Sequence, residues 1–176
     1  MNRRQLLKVT ASGGLLIALG GGYSWWHEGV RAEDLTIAAA RIKLDALTGN
    51  NVISSGQWNP TQIFDHCAQS VEYSMSGFPQ HKSSLFKNTA GYAAFSVFSS
   101  RGRMTHGLSE AIPGAPYLAG ESTIQVALVR LQKAMDDFQQ YQDELQPHFA
   151  YGRLTKEQYE VAHVIHLNNH LEEIAS

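Results

Sequence analysis

Three histidines, His163, His166 and His170, fall within one helical run, Ala162-His163-Val164-Ile165-His166-Leu167-Asn168-Asn169-His170-Leu171. At about 100° per residue they lie within roughly 60° of one another around the helix axis. Neutral imidazole ligates zinc, nickel, copper and iron, and a pair four residues apart can grip one ion from consecutive turns. The spacing therefore reads as two ligands of a metal site with a third histidine in reserve. The competing reading is a set of ordinary core or surface histidines. The chain holds 8 of them, and His-x-x-x-His without the glutamate of His-Glu-x-x-His is only moderately specific. A ligand from elsewhere has to decide.

His66 is the candidate. In Asn59-Pro60-Thr61-Gln62-Ile63-Phe64-Asp65-His66-Cys67, Asn59 can cap a helix and Pro60 suits its first turn. The inward stripe of that helix runs through Ile63, His66, Ser70 and Tyr73. His66 then points into the interior, where an unpaired polar ring is costly. A metal shared with the last helix would supply a partner, as would a backbone carbonyl or Tyr73. Asp65 points about 100° away around the helix and is a poor base for the site.

His66 on an early helix after Trp58, followed much later by Phe149-Ala150-Tyr151-Gly152-Arg153-Leu154-Thr155 and a helix carrying His166 and His170, resembles the DinB-like (YfiT-like) superfamily of metal-binding four-helix bundles. Within that superfamily the match is best to a family of bacterial proteins of unknown function. The resemblance covers residues 33–176. It implies an all-α up-and-down bundle and a divalent ion held by one histidine of the second helix and two of the last, here His66, His166 and His170. Zinc or nickel heads the choice of ion, with manganese or iron behind. Relatives continue the last motif with an Arg-Gly-Gln-like run, whereas Leu171, Glu172, Glu173 and Ile174 follow here. That departure weakens transfer of substrate chemistry but not of the metal site. The additional His163 is read as a non-ligand near the ion, and with Tyr73 as a catalytic candidate; Glu160 is a further proton-handling candidate.

The elements that must position these residues are five helical segments, at roughly 33–47, 60–76 and 83–99, from 122 with an apolar stripe running to Phe138, and from 155 onward. The fourth opens with a Ser122-x-x-Gln125 capping box, and the fifth with Thr155-x-x-Gln158. The expected fold is a four-helix bundle with one additional helix or irregular insertion. Between the third and fourth segments, Arg101 to Pro116 is too dense in turn residues to be helical. A connection of this length is usually functional or disordered. Arg101, Arg103 and His106 could form an anion-binding lip over the metal, set against a solvated loop with scattered charges.

Residues 1–32 stand apart. Arg3-Arg4-Gln5-Leu6-Leu7-Lys8 precedes a glycine-rich, moderately apolar run from Val9 to Trp26, which looks like a twin-arginine export signal. An uncleaved membrane anchor is the alternative, because the run reaches the lower edge of spanning length. Val30-Arg31-Ala32 and Ala38-Ala39-Ala40 both offer small-residue cleavage patterns. The division is thus a signal or anchor at 1–32 and a bundle domain at 33–176. Export would place the protein in the periplasm or on the outer face of the cytoplasmic membrane, with the twin-arginine machinery as a partner. That route carries folded proteins, so the metal could be loaded first.

The formal net charge is −2. Removing residues 1–32 takes Arg3, Arg4, Lys8 and Arg31 from 14 cations and Glu28 from 16 anions, leaving 10 against 15 and a net charge of −5. No basic stripe remains for nucleic acid. The single cysteine, Cys67, excludes an internal disulfide and reads as a small core residue. Two functions stand. A three-histidine site with open positions would suit a metal-dependent hydrolase or transferase acting on a small molecule. A bundle that holds a metal, or a ligand through it, would be a non-enzymatic binding module. Oligomeric state is not legible.

Overall fold

The computed structural model describes residues 31–175, and these are mostly helical. The twin-arginine run and its apolar segment lie outside the described residues. Among those described, no helix is long and apolar enough to cross a membrane.

Helix α1, Ile37–Leu47, follows a short 3-10 turn at Ala32–Asp34. Thr36 caps it by accepting from the Ala39 amide, and Glu160 Oε1 accepts from the Ile37 amide at 2.8 Å. Glu160 thus closes the N-terminus of α1, one of the four amides a helix start leaves without an internal partner. The Ala38-Ala39-Ala40 pattern lies inside this helix, with Ile37 and Ala40 fully buried.

Helix α2, Pro60–Ser76, begins as its sequence dictates. Asn59 Oδ1 accepts from the Gln62 amide, Gln62 Oε1 accepts from the Asn59 amide, and Pro60 takes the first helical position. Gly77, at φ 104°, ends it. Helix α3 is composite: Ser84–Phe86, a π-helical turn at Lys87–Gly91, and Tyr92–Arg101, closed by left-handed Gly102. Helix α4 is Ile124–Gln140 and α5 is Lys156–Leu171. The α5 capping box is the expected one on Thr155 and Gln158. The box expected at the start of α4 is not formed: Thr123 is the cap and accepts from the Val126 amide, and the Ser122 carbonyl accepts from Thr61 Oγ1. Two-residue strands Ile53–Ser54 (β1) and Ile174–Ala175 (β2) pair antiparallel, an element with too little sequence to show a period.

Helix α2 packs along α4 and also against α5, while α1 packs against both α4 and α5. The core between them is built from Ile37, Leu44, Ile63, Phe64, Leu128, Leu131, Phe138, Tyr159 and Ile165, each almost completely buried. Arg130 of α4 fixes the α2 register from outside, with Nε and Nη2 donating to the two oxygens of Glu72 at 2.9 and 2.7 Å and Nη1 to Asp65 at 2.8 Å. Asp65 is therefore committed to Arg130 of α4 and turned away from the histidine face. Helix α3 lies on α5. Gly91 is buried where its backbone meets the Ala150 carbonyl; a Cβ there would sit 1.9 Å from that oxygen.

Candidate metal centre

Each histidine of the centre is delivered by a different constraint. The capping of α2 sets His66 nearly two turns into the helix, and the 3.6-residue period of α5 stacks His166 and His170 on one face. His106 arrives from the irregular connection after α3, which folds back over the end of α5 so that His106 Nδ1 lies 2.8 Å from Asn169 Oδ1. The four histidines offer ligand nitrogens that all lie within 4.8 Å of one another.

His66 Nε2 and His166 Nε2 are 3.1 Å apart. Two nitrogens each about 2.1 Å from a shared ion would be that far apart at an angle of about 95°. Diametrically opposed ligands would be about 4.2 Å apart, so any pair near the 4.8 Å limit must close by about half an ångström on binding. His66 Nδ1, His106 Nε2 and both nitrogens of His170 are sealed in the protein without a hydrogen-bond partner. Such orphaned atoms are rare and costly in a folded chain. An ion accepting lone pairs from this cluster accounts for His106 Nε2 and one nitrogen of His170, while His66, which faces His166 through Nε2, keeps its Nδ1 unpaired.

The protonation state suits that role. Burial, reinforced by neighbouring His106, holds His66 down at about 4. Burial and the surrounding imidazoles lower His170 to about 2 and take His166 well below its ordinary range. Burial also lowers His106, against smaller upward pulls from Asn169 and Glu110. The Asn169 bond fixes the tautomer: Nδ1 donates to Oδ1, so Nε2 keeps its lone pair for the cluster. Trp58 covers the far side, 4.9 Å from the His66 ring and parallel to His170 at 6.2 Å.

On its other side the cluster opens to a cavity of about 190 Å³, lined by His66, His106 and His166 together with Tyr151, His148 and His163. Apolar walls come from Met104, Ile112 and Phe149, while exposed Lys82 and Glu110 also border it. His170 is not in this wall.

His66, His166 and His170, which the sequence singles out, are brought together, and His106 joins them. The reading of His106 as part of an anion-binding lip is corrected: its ring is tied to Asn169 and turned toward the cluster, and neither Arg101 nor Arg103 lines the cavity. His163 is apart from the four. It lies one turn deeper in the bundle, with Nε2 3.2 Å from Ser74 Oγ and its ring against Phe138 and Tyr159. Ser74 already donates its proton to the Val71 carbonyl, so His163 Nε2–H is the donor and Nδ1 the free lone pair. Tyr73 packs on Phe78 and does not line the cavity. Glu160 caps α1 instead of approaching the site. Cys67 is buried in the core and its thiol is pushed up strongly by burial.

No curated protein and no solved structure matches the chain. A protein family does match, over residues 29–176. Those residues include every element that carries the cluster, and the chain belongs to that family, described as "Protein of unknown function (DUF1569)".

Proposed function

We propose that this is a metal-dependent hydrolase or transferase of small molecules, built on a four-helix bundle (α1, α2, α4 and α5) of the DinB-like type. His66, His106, His166 and His170 hold a divalent ion. The observation that carries the reading is the convergence of four imidazoles, three of them with orphaned nitrogens, at one end of a cavity. A donor set of nitrogen without carboxylate favours zinc or nickel, then iron, over the oxygen-seeking manganese. Four ligands fill a tetrahedral ion, so Lewis-acid chemistry toward a carbonyl or water would need a fifth position on the cavity side, which an ion of higher coordination number, such as nickel or iron, would supply; a closed four-histidine zinc would be structural.

The residues around it have separate tasks. His106 is oriented by Asn169, and Trp58 shields the cluster from water on the side away from the cavity. His163, held at about 3 by burial, is a weak base, because efficient general bases titrate near the working pH. Its Nδ1 lone pair suits it to accept and orient a substrate proton. The cavity is smaller than the 300–1,000 Å³ or so of drug-sized ligand sites, which limits the substrate to a small molecule.

Metal analysis of tag-free protein purified from its native compartment tests the reading, with about one ion per chain expected. Loss of that ion in His106→Ala as well as in His66→Ala would support the four-ligand set. Retention of full metal in both variants would sink it. A non-enzymatic binder is the second reading, favoured by the absence of a carboxylate from the cluster; metal binding with no turnover across hydrolase and transferase substrates would select it. Export through the twin-arginine route is proposed from residues 1–32 alone.

A further inference from the structure

A second wall of the cavity has a donor that the metal reading does not use. His148 begins a tight turn between α4 and α5, in which its amide donates to the Gly152 carbonyl at 2.8 Å and the Gly152 amide returns a bond at 3.2 Å. Gly152, at φ 81°, supplies the left-handed residue the turn requires. Inside the turn the amides of Ala150 and Tyr151 both donate to His148 Nδ1, at 3.2 and 3.1 Å. A nitrogen that accepts from N–H holds no proton of its own, so the neutral ring is the Nε2–H tautomer.

The ring is also locked in place. Tyr151 stacks on it at 4.3 Å and 8°, and Phe78 meets it edge-on at 5.0 Å. The Lys82 amide ties the turn down through the Phe149 carbonyl. His148 is buried and forms part of the cavity wall. Among the described residues Nε2 has no hydrogen-bond partner, yet it is not one of the sealed atoms. A buried, oriented N–H donor left open on a cavity calls for an acceptor from whatever occupies that cavity.

We infer that His148 Nε2–H is a binding donor that holds a carbonyl or carboxylate oxygen of a small molecule whose apolar body lies against Tyr151, Phe149 and Ile112. The inference rests on the reading of the cavity as a ligand site, though not on which ion the cluster holds. It makes His148 an orienting group: neutral, fixed by its own turn, and separate from the four ligands.

Nitrogen NMR of the full chain with labelled histidine rings, metal-free and zinc-loaded, tests it with isobutyrate and isobutyramide as probes. His148 should show the Nε2–H tautomer without ligand, and one or both probes should displace its ring signals. In His148→Asn the amide oxygen can still accept from the turn, so fold and zinc stoichiometry should persist while probe affinity falls about three- to tenfold. Should that variant fail to fold, the tautomer and the displacement in the unmodified protein decide alone. Displacement of His148 in a protein that takes up no zinc would sink the metal reading and leave this one. An Nδ1–H tautomer, or no displacement by either probe at tens of millimolar in zinc-loaded protein, would overturn it.

Discussion

Lowering the pH from about 7.5 to about 5.5 should leave the metal affinity of the histidine cluster nearly unchanged. Ordinary imidazoles, with pKa values near 6.5, would each be about ten-to-one protonated at the lower pH, and four together would lose affinity roughly ten-thousandfold. Here burial holds His66 at about 4 and His170 at about 2, and His166 lies well below its usual range. These three rings carry no proton for the ion to displace anywhere in that window. His106 is the one partner whose burial is offset by upward pulls from Asn169 and Glu110. Even if it titrated like a free imidazole, the loss would stop at about tenfold. The assay is competition against a chelator of known proton affinity, on tag-free protein, at three pH values. A thousandfold loss would mean that protons reach the rings freely, and the buried-cluster argument would fail.

Asn169→Ala should free the His106 ring and weaken metal binding by about 10- to 100-fold with the helices intact, as loss of an outer partner to a ligating histidine does; unchanged affinity would show that Asn169 does not orient it. Metal-free protein should lose stability in mild acid: His66, His148 and His163, held at about 4, 3 and 3, take up protons only on unfolding. Stability is therefore full above about pH 6.5 and falls below it by up to about 1.4 kcal/mol per pH unit for each ring, which urea titrations at two pH values would reveal. Changing Arg3 and Arg4 together to Lys should hold the protein in the cytoplasm with its bundle folded; unchanged export on fractionation would point to an ordinary secretory signal or anchor.

The helical period made His66, His166 and His170 legible, because the face a residue takes on a helix is a local property that capping and spacing determine. His106 was not legible as a partner. It comes from a connection without periodicity, and only long-range packing returns that connection to the end of α5. Asn169, between the two histidines of α5, was its one local trace. His163 illustrates the opposite limit: its 60° offset allows it onto the histidine face, but three residues of rise, about 4.5 Å, carry it down to Ser74 and Phe138. The stripe through Ile63, His66, Ser70 and Tyr73 does face inward, but Tyr73 at its end is half-buried against Phe78 and away from the cavity. His148 owes its tautomer to two amides within its own turn, an arrangement that no spacing rule announces.

The meeting of Gly91 with the Ala150 carbonyl makes a hydrogen atom the gauge of how closely α3 approaches the turn that holds His148. At position 91 no side chain stands between α3 and the Ala150 carbonyl, so no flexible spacer there can absorb a change. A methyl group at position 91 would have to move from 1.9 Å to the 3.4 Å of ordinary contact, and the oxygen it meets is backbone, which yields only if the whole turn shifts. Phe95, further along α3, rests on Tyr151 at 5.4 Å and would be displaced with it. A position with no functional group of its own thereby sets how near α3 lies to the turn that orients His148.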